Sequence, residues 1–282
     1  MKNQFTLRCM MFLPVLFLCV SVKPYYLLKD GQYQDHPKHR WVYNAIEKSQ
    51  AKNTGAKLLL IGDSVGHQFF NGFHDHGEIY SLTTTGAIDI VGQYVLLSEF
   101  LKNNHPETVV IMNTGFRGNL NAPQVFHHFL KPFNKEEFQP YFTERARKRI
   151  KAIPYYFLSQ VPHFLTTTWG PKIPFVPDTT NMCISPLTIE YLKKMESLTK
   201  EKGIDLVVIP PPLNKIRKKT LQKFMKPEIE EFGLEGLFRY YFDNLQFKNS
   251  KQFQDNIHLH HKFVKKYKPR YVELFSSFIE KE

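Results

Sequence analysis

The sequence predicts an α/β fold in which a mostly parallel sheet is covered by helices on both faces. Three short apolar runs predict its strands, at residues 57–61 (KLLLI), 108–112 (TVVIM) and 205–209 (DLVVI). After Lys57 and Asp205 at the start of two of them, the runs are apolar or β-branched, and each is followed by a turn, as buried parallel strands are. Segments with helical periodicity alternate with these runs, and this alternation is typical of a parallel sheet between two helical layers.

The segments between the strands predict the remaining elements. We assign them from helix caps, hydrophobic periodicity and helix-breaking residues. They are a helix from residue 65, a strand over 78–82, a helix over 86–103, a helix over 185–203 and a last helix from about 259. The helix over 185–203 has the clearest start, because Ser185 is a good cap and Pro186 fits the first helical turn. Pro269 is expected to kink the last helix.

Residues 114–184 do not follow the alternation and predict a helical, aromatic-rich insertion between two strands. The stretch is rich in proline, aromatic residues and basic helical turns. It leaves the carboxyl end of a strand, which is where α/β folds bind ligands. We therefore expect it either to cover a substrate groove or to add a layer to the core, and the sequence leaves both interpretations open.

The chain length of 282 residues predicts one main domain, over residues 23–282, preceded by an amino-terminal segment. Residues 1–22 predict an export signal or an amino-terminal membrane anchor, because Lys2 and Arg8 precede an apolar run that reaches Val22. A buried helix is the alternative. We accordingly expect an exported, periplasmic or extracytoplasmic protein. Beyond this segment Cys183 is the remaining cysteine, which excludes an internal disulfide in the mature domain.

The formal net charge of +12 comes largely from basic stretches at 145–151, 215–223 and 262–270. These stretches predict either solvated helix faces or attraction to an anionic surface, such as phospholipid headgroups or an acidic glycan. The export signal makes nucleic acid the least fitting partner, and we expect none.

Gly62-Asp63-Ser64 follows the first predicted strand and provides a candidate nucleophile. A serine in this turn lies at the carboxyl edge of the sheet, beside the free backbone N–H groups of the next helix. Such N–H groups suit a developing oxyanion. The alternative is an ordinary helix cap, for which Asp and Ser are common residues.

Asp255 and His258 form a candidate base just before the last helix. A carboxylate three residues ahead of a histidine can fold back onto the ring, select its tautomer and stabilise the imidazolium. The second ring nitrogen is then available to accept the proton of a serine. Capping by Asp255, with His258 at the surface, is the alternative.

Together, Gly62-Asp63-Ser64 and the block from Asp255 to His258 resemble the SGNH (GDSL) hydrolase superfamily, and the resemblance runs from about Lys57 onward. It implies a three-layer αβα sandwich of the SGNH/flavodoxin-like kind, with Ser64, His258 and Asp255 as a catalytic triad. It also implies an oxyanion hole made of the serine N–H, a glycine N–H and an asparagine amide.

The oxyanion hole is where the sequence departs from the family pattern, because the Gly-x-Asn-Asp block is absent. Gly86 is the candidate for the glycine. Asn113, directly after the third strand, is the candidate for the asparagine, and Asn119 is its rival.

The stretch from Ser81 to Leu97, with Thr85-Gly86-Ala87 and Gly92-Gln93-Tyr94, is similar to the envelope branch of the superfamily, which includes alginate-type O-acetyltransferases and the D-alanyl-teichoic-acid protein. This resemblance implies O-acyl (acetyl) transfer to, or removal from, a surface polysaccharide. Its expected partners are an acyl donor, a glycan or other ester substrate, and a membrane-bound acyltransferase. No cofactor is required. A plain esterase or lipase, and a non-catalytic accessory binding module of a polymer-modification complex, are the alternatives.

A metal site is a further alternative, because His67, His74, Asp75 and His76 follow the serine closely. A catalytic metal needs three or four converging ligands. Histidine is used freely along this chain, so we expect no metal and interpret His67 as a residue that shapes the serine site.

Overall fold

The computed structural model describes residues 12–16, 37–71, 78–118, 126–153 and 182–280. A four-stranded parallel sheet with the order β2-β1-β3-β4 lies at its centre. Its strands are Leu58–Gly62 (β1), Ile79–Ser81 (β2), Thr108–Met112 (β3) and Asp205–Val208 (β4). A separate parallel pair consists of Leu213–Asn214 (β5) and Phe247–Lys248 (β6). The predicted parallel sheet is confirmed.

Helices connect and cover these strands. In chain order they are Pro37–Ser49 (α1), Ser64–Phe70 (α2), Asp89–Phe100 (α3), Lys131–Phe133 (α4), Glu144–Lys151 (α5), Pro186–Glu201 (α6), Lys218–Thr220 (α7), Lys226–Glu231 (α8) and His261–Ile279 (α9). Short 3₁₀ turns occupy Gly86–Ile88, Glu136–Tyr141, Lys215–Arg217 and Ser250–Gln252, and π turns occupy Phe126–Leu130 and Leu221–Met225.

The strands bury side chains on both faces, which explains their unbroken apolar sequences. Successive side chains of a strand point to opposite faces. On β3, Val109 and Ile111 accordingly join the core beneath α1, α3 and α6, whereas Val110 and Met112 join the core beneath α2 and α9. The result is the three-layer αβα sandwich that the family resemblance implies.

The helix predicted over 86–103 is divided at Asp89. Residues Gly86–Ile88 form a 3₁₀ turn and α3 begins at Asp89, whose φ of 54° is left-handed. A left-handed residue cannot continue a right-handed helical path, so the prediction was wrong about the start. The last helix was predicted well, and it continues through Pro269.

The described part of the predicted insertion packs into the main core. Phe129, Phe133, Phe138 and Phe142 are buried there, in the same cluster as side chains of β1 and β3. Residues 119–125 and 154–181 lie outside the described ranges. Most of residues 1–22 also lie outside them, and among the helices described none is long and apolar enough to span a bilayer.

Candidate active site

The turn after β1 is confined by the backbone of β3. An added Cβ at Gly62 would lie 2.3 Å from the carbonyl oxygen of Met112, so only glycine fits there. The Gly62 carbonyl also accepts a hydrogen bond of 3.1 Å from the Thr84 N–H. These contacts fix where the chain leaves the sheet.

Asp63 connects the next residue to the neighbouring strand. Its side chain is 7% exposed, and one carboxylate oxygen caps α2 by accepting from the Val65 N–H at 2.9 Å. The other oxygen accepts from the Thr114 N–H at 2.7 Å and from the Thr114 hydroxyl at 2.5 Å. Three donors therefore satisfy this buried carboxylate, and they hold Ser64 at the carboxyl edge of β1 and β3.

Ser64, His258 and Asp255 form one hydrogen-bonded chain. The Ser64 Oγ lies 2.8 Å from the His258 Nε2, and the His258 Nδ1 lies 2.8 Å from the Asp255 Oδ2. An ionised carboxylate can only accept, so Nδ1 carries the proton that bonds to Asp255. In the neutral ring, Nε2 then accepts from the serine hydroxyl. This tautomer suits a ring that takes the serine proton.

Asp255 is held in its ionised form by its own turn. Partial burial raises its pKa, but the hydrogen bonds from the His258 N–H and ring and from the Ile257 N–H outweigh this effect, so the pKa lies below its usual value. The turn includes Asn256, whose φ of 62° is left-handed. Asparagine tolerates this conformation better than most residues do.

Gln68 joins the base segment to the nucleophile helix. Its amide accepts from the Leu259 N–H at 3.2 Å and donates to the Leu259 carbonyl at 3.3 Å. Gln68 lies one helical turn after Ser64 on α2, which places the two residues on the same helix face. This contact was not predicted, although the four-residue spacing of Ser64 and Gln68 was a usable signal.

A cavity of about 520 Å³ lies next to the chain segments that carry Ser64 and His258. Its lining includes Asp63 and Ile257, the chain neighbours of Ser64 and His258, as well as Gly86 and Asn113. The two residues proposed for the oxyanion hole therefore share one cavity at the carboxyl edge of the sheet. Parallel α/β sheets bind ligands at this edge.

Asn113 is buried and paired with Gln93 through two amide hydrogen bonds. The Asn113 Nδ2 donates to the Gln93 Oε1, and the Gln93 Nε2 donates to the Asn113 Oδ1, both at 2.9 Å. This pairing uses one of the two hydrogens on Nδ2 and fixes the orientation of the amide. Gln93 belongs to the stretch that resembles the envelope branch, but its pairing with Asn113 was not predicted. Its rival candidate, Asn119, lies outside the described residues.

His67 faces away from the serine cavity. Its Nδ1 lies 2.8 Å from the Thr83 carbonyl oxygen, and its ring packs against Trp41 with the centroids 4.6 Å apart. Burial lowers the pKa of His67, against the effect of the Thr83 hydrogen bond. Within the described ranges, no three His, Cys, Asp or Glu side chains are grouped as metal ligands would be, and residues 74–76 lie outside those ranges.

No protein-family model and no curated protein matches the chain. Among solved structures, the chain is similar to that of a protein from Streptococcus pneumonia described as a candidate platelet activating factor. The sequence identity is 12% and the TM-score is 0.36, over 90% of this chain and 98% of that one. A similarity this distant supports no conclusion about family or activity.

Proposed function

We propose that this protein is a serine-dependent acyl-ester enzyme that works through an acyl-serine intermediate. The observation that carries the proposal is the chain of two 2.8 Å contacts from the Ser64 Oγ through the His258 ring to the Asp255 carboxylate. Ser64 and His258 are 194 positions apart in the sequence. In this arrangement the serine hydroxyl donates to the ring and the ring donates to the carboxylate, as nucleophilic catalysis requires. Helix capping alone would bring Asp255 to the His258 N–H, but it would not bring the ring to a serine.

In the first step, the Ser64 Oγ attacks the ester carbonyl carbon while its proton moves to the His258 Nε2. The ester C–O bond then breaks, and the departing alkoxide takes that proton as it leaves as an alcohol. In the second step, an acceptor hydroxyl gives its proton to His258 and attacks the acyl carbon. The Ser64 oxygen leaves and recovers the proton. Asp255 stabilises the imidazolium in both steps.

The oxyanion that forms in each step needs donors near the serine. Gly86 and Asn113 line the adjoining cavity. We propose for this role the Gly86 N–H and the Asn113 amide hydrogen that is not bonded to Gln93. The Asn113–Gln93 pair supports the assignment of Asn113, because a fixed amide costs no reorganisation when charge develops. The family resemblance assigns the same role to the Ser64 N–H.

We propose that the reaction takes place at the cell envelope. We favour transfer of an acyl group to a surface polysaccharide over plain hydrolysis. The signal-like segment of residues 1–22 supports export or tethering, and the resemblance to the envelope branch supports a glycan acceptor and a membrane-bound acyltransferase as donor partner. The basic stretches are compatible with an anionic membrane surface. Water and a glycan hydroxyl would use the same acyl-serine, so the acceptor decides between hydrolase and transferase.

The proposal is tested by treating the purified chain with a fluorophosphonate probe and measuring its intact mass. We expect a single covalent adduct on Ser64, and none on the Ser64→Ala variant. Turnover of a chromogenic acetyl ester should fall in that variant by a factor on the order of 10⁴.

Ser197→Ala is the matched control, because Ser197 is an exposed serine bonded to Glu201 on α6. It should label and turn over ester as the unchanged chain does. A Ser64→Ala protein that retains its melting temperature and full esterase activity would exclude the proposal. A folded wild-type chain that neither labels nor turns over esters would favour the accessory binding module.

A further inference from the structure

Arg217 supplies a fixed cation to the cavity beside Ser64. It follows β5 and lines the cavity, and its Nη1 donates to the Thr114 carbonyl oxygen at 2.5 Å. Its Nη2 lies 3.2 Å from the place where a Cβ on Gly115 would stand. The guanidinium therefore lies against the backbone of the loop after β3, next to the residue that anchors Asp63.

The carboxylates of the cavity do not neutralise this cation. Asp63 is occupied by its three donors, as described above. Asp89 accepts from the Ile90 N–H at 2.5 Å, and its other oxygen faces Gly118, where an added Cβ would lie 3.2 Å away. Among the residues that the structure describes, no carboxylate forms an ion pair with Arg217.

The charge of Arg217 acts on other groups in the wall of the cavity. Burial raises the pKa of Tyr241, and the positive charge of Arg217 opposes that rise. Burial and the charge of Glu228 raise the pKa of Cys183, and Arg117 and then Arg217 oppose that rise. Tyr241 and Cys183 both line the cavity. Arg217 thus borders a partly enclosed space, where a charge interacts more strongly than in open water.

Resting on the acyl-ester function proposed above, we propose that Arg217 binds an anionic group, a carboxylate or a phosphate, on the substrate or acyl acceptor. A planar guanidinium with free N–H groups matches the paired oxygens of either anion. The cavity volume of about 520 Å³ is that of a site for a small molecule, such as one sugar unit. Phe116, Leu221 and Met225 provide apolar wall for the ring. The substrate class is therefore an acidic or phosphorylated saccharide unit.

Binding to the full-length Ser64→Ala protein tests the site without turnover. The ligands are methyl glucuronoside, glucose 6-phosphate and the neutral methyl glucoside, compared by calorimetry. We expect at least one anionic ligand to bind about tenfold to a hundredfold more tightly than the neutral one, as a charge-assisted hydrogen bond permits. A preference for glucuronoside identifies a carboxylate, and a preference for glucose 6-phosphate identifies a phosphate.

Arg217→Gln in the same background should remove this preference, and Arg217→Lys should keep part of it. Lys219→Gln is the matched control, because it removes an exposed cation from the adjacent helix and should leave the preference intact. If Arg217→Gln unfolds, salt provides the second measurement: added NaCl should weaken binding of the anionic ligand and not of the neutral one. Equal affinities for all three ligands, or equal effects of the two glutamine variants, would overturn the proposal.

Kinetics with acetylated methyl glucuronoside and acetylated methyl glucoside separate this proposal from the acyl-ester function. Ser64-dependent turnover of both esters without a KM preference would refute the anion site and leave the enzyme. An anion preference in binding, in a wild-type chain that turns over neither ester, would refute the enzyme and leave the anion site.

Discussion

The two ends of the hydrogen-bonded chain are supported in opposite ways. Ser64 follows Asp63, a carboxylate that is 7% exposed and held between β1 and β3 by three donors. His258 is held by Asp255, whose side chain is 57% exposed and whose partners lie within its own turn. The proposed nucleophile is thus positioned by the sheet, and the proposed base by a turn at the surface.

Because of this difference, substitutions near Ser64 and substitutions near His258 should affect stability and activity to different degrees. The contacts that position Ser64 are also contacts of the buried sheet, so changes there should reduce the free energy of unfolding. The hydrogen bonds that hold the His258 ring and N–H come from Asp255, and those of its neighbour Leu259 run to Gln68. Leu259 itself is buried in the core beneath α2 and α9. Changes at Asp255, whose carboxylate is exposed, should therefore reduce turnover and leave the fold largely intact.

Gly62→Ala should have the largest effect on stability. The new methyl group would lie 2.3 Å from the Met112 carbonyl oxygen, and backbone on both sides prevents relief. We expect a loss of about 3 kcal/mol in the free energy of unfolding, measured by urea denaturation. Gly236→Ala is the control, because the nearest atom there would lie at an ordinary 3.9 Å. Equal midpoints for the two variants would show that the turn after β1 is not tightly packed.

The same substitution at the two aspartates should have opposite consequences. In Asp63→Asn, the amide NH₂ would face one of the Thr114 or Val65 donors, and the amide oxygen would accept more weakly than the carboxylate does. The free energy of unfolding should therefore fall by about 2–3 kcal/mol. Asp255→Asn should leave the urea midpoint nearly unchanged and reduce kcat by a factor on the order of 10² to 10⁴, because the ring loses the acceptor that selects its tautomer. If Asp255→Asn proved the more destabilising change, the comparison would be reversed.

The sheet was predictable from the sequence because each buried strand carries its own signal. The runs at 57–61, 108–112 and 205–209 are apolar on both faces, and this requires cover from two helical layers. Helix α1 and the short β5–β6 pair were missed. The two paired strands have two residues each, too few for a period-two pattern, and depend on tertiary contacts instead.

The site was predictable only as far as its short motifs extend. Ser64 and the Asp255–His258 pair stand in local patterns whose geometry follows from a turn or a helix cap. Arg217 stands in no such pattern, and the pairing of Gln93 with Asn113 depends on a tertiary contact, so both reach the cavity through the arrangement of β5 and α3. The walls of a cavity are formed by residues from many chain segments. Their chemistry therefore depends on the fold and cannot be inferred from the spacing of residues in the sequence.

Gln68→Ala should have an intermediate effect and tests how the two halves are joined. Loss of both hydrogen bonds to Leu259 should cost about 1 kcal/mol of stability. It should lower kcat by about tenfold with little change in KM, since a looser loop displaces the ring and not the substrate. Gln139→Ala serves as control, because that side chain bonds to Asn134 instead. An unchanged kcat would mean that the Asp255 turn positions His258 without help from α2.

The smallest effect should be the pH dependence that Asp255 contributes to stability. Its pKa is lowered in the folded protein, so its contribution is present above the pKa of the unfolded chain, about 3.9, and is lost as the pH falls through the lower folded value. The difference in free energy of unfolding between the wild type and Asp255→Asn should therefore be largest near neutrality and shrink in acid. Solvent screens an exposed carboxylate, which keeps the difference small. In a His258→Ala background the dependence should weaken further, because the ring is one of the groups that lower this pKa. A difference that grew in acid would contradict the exposed, locally held base on which the comparison depends.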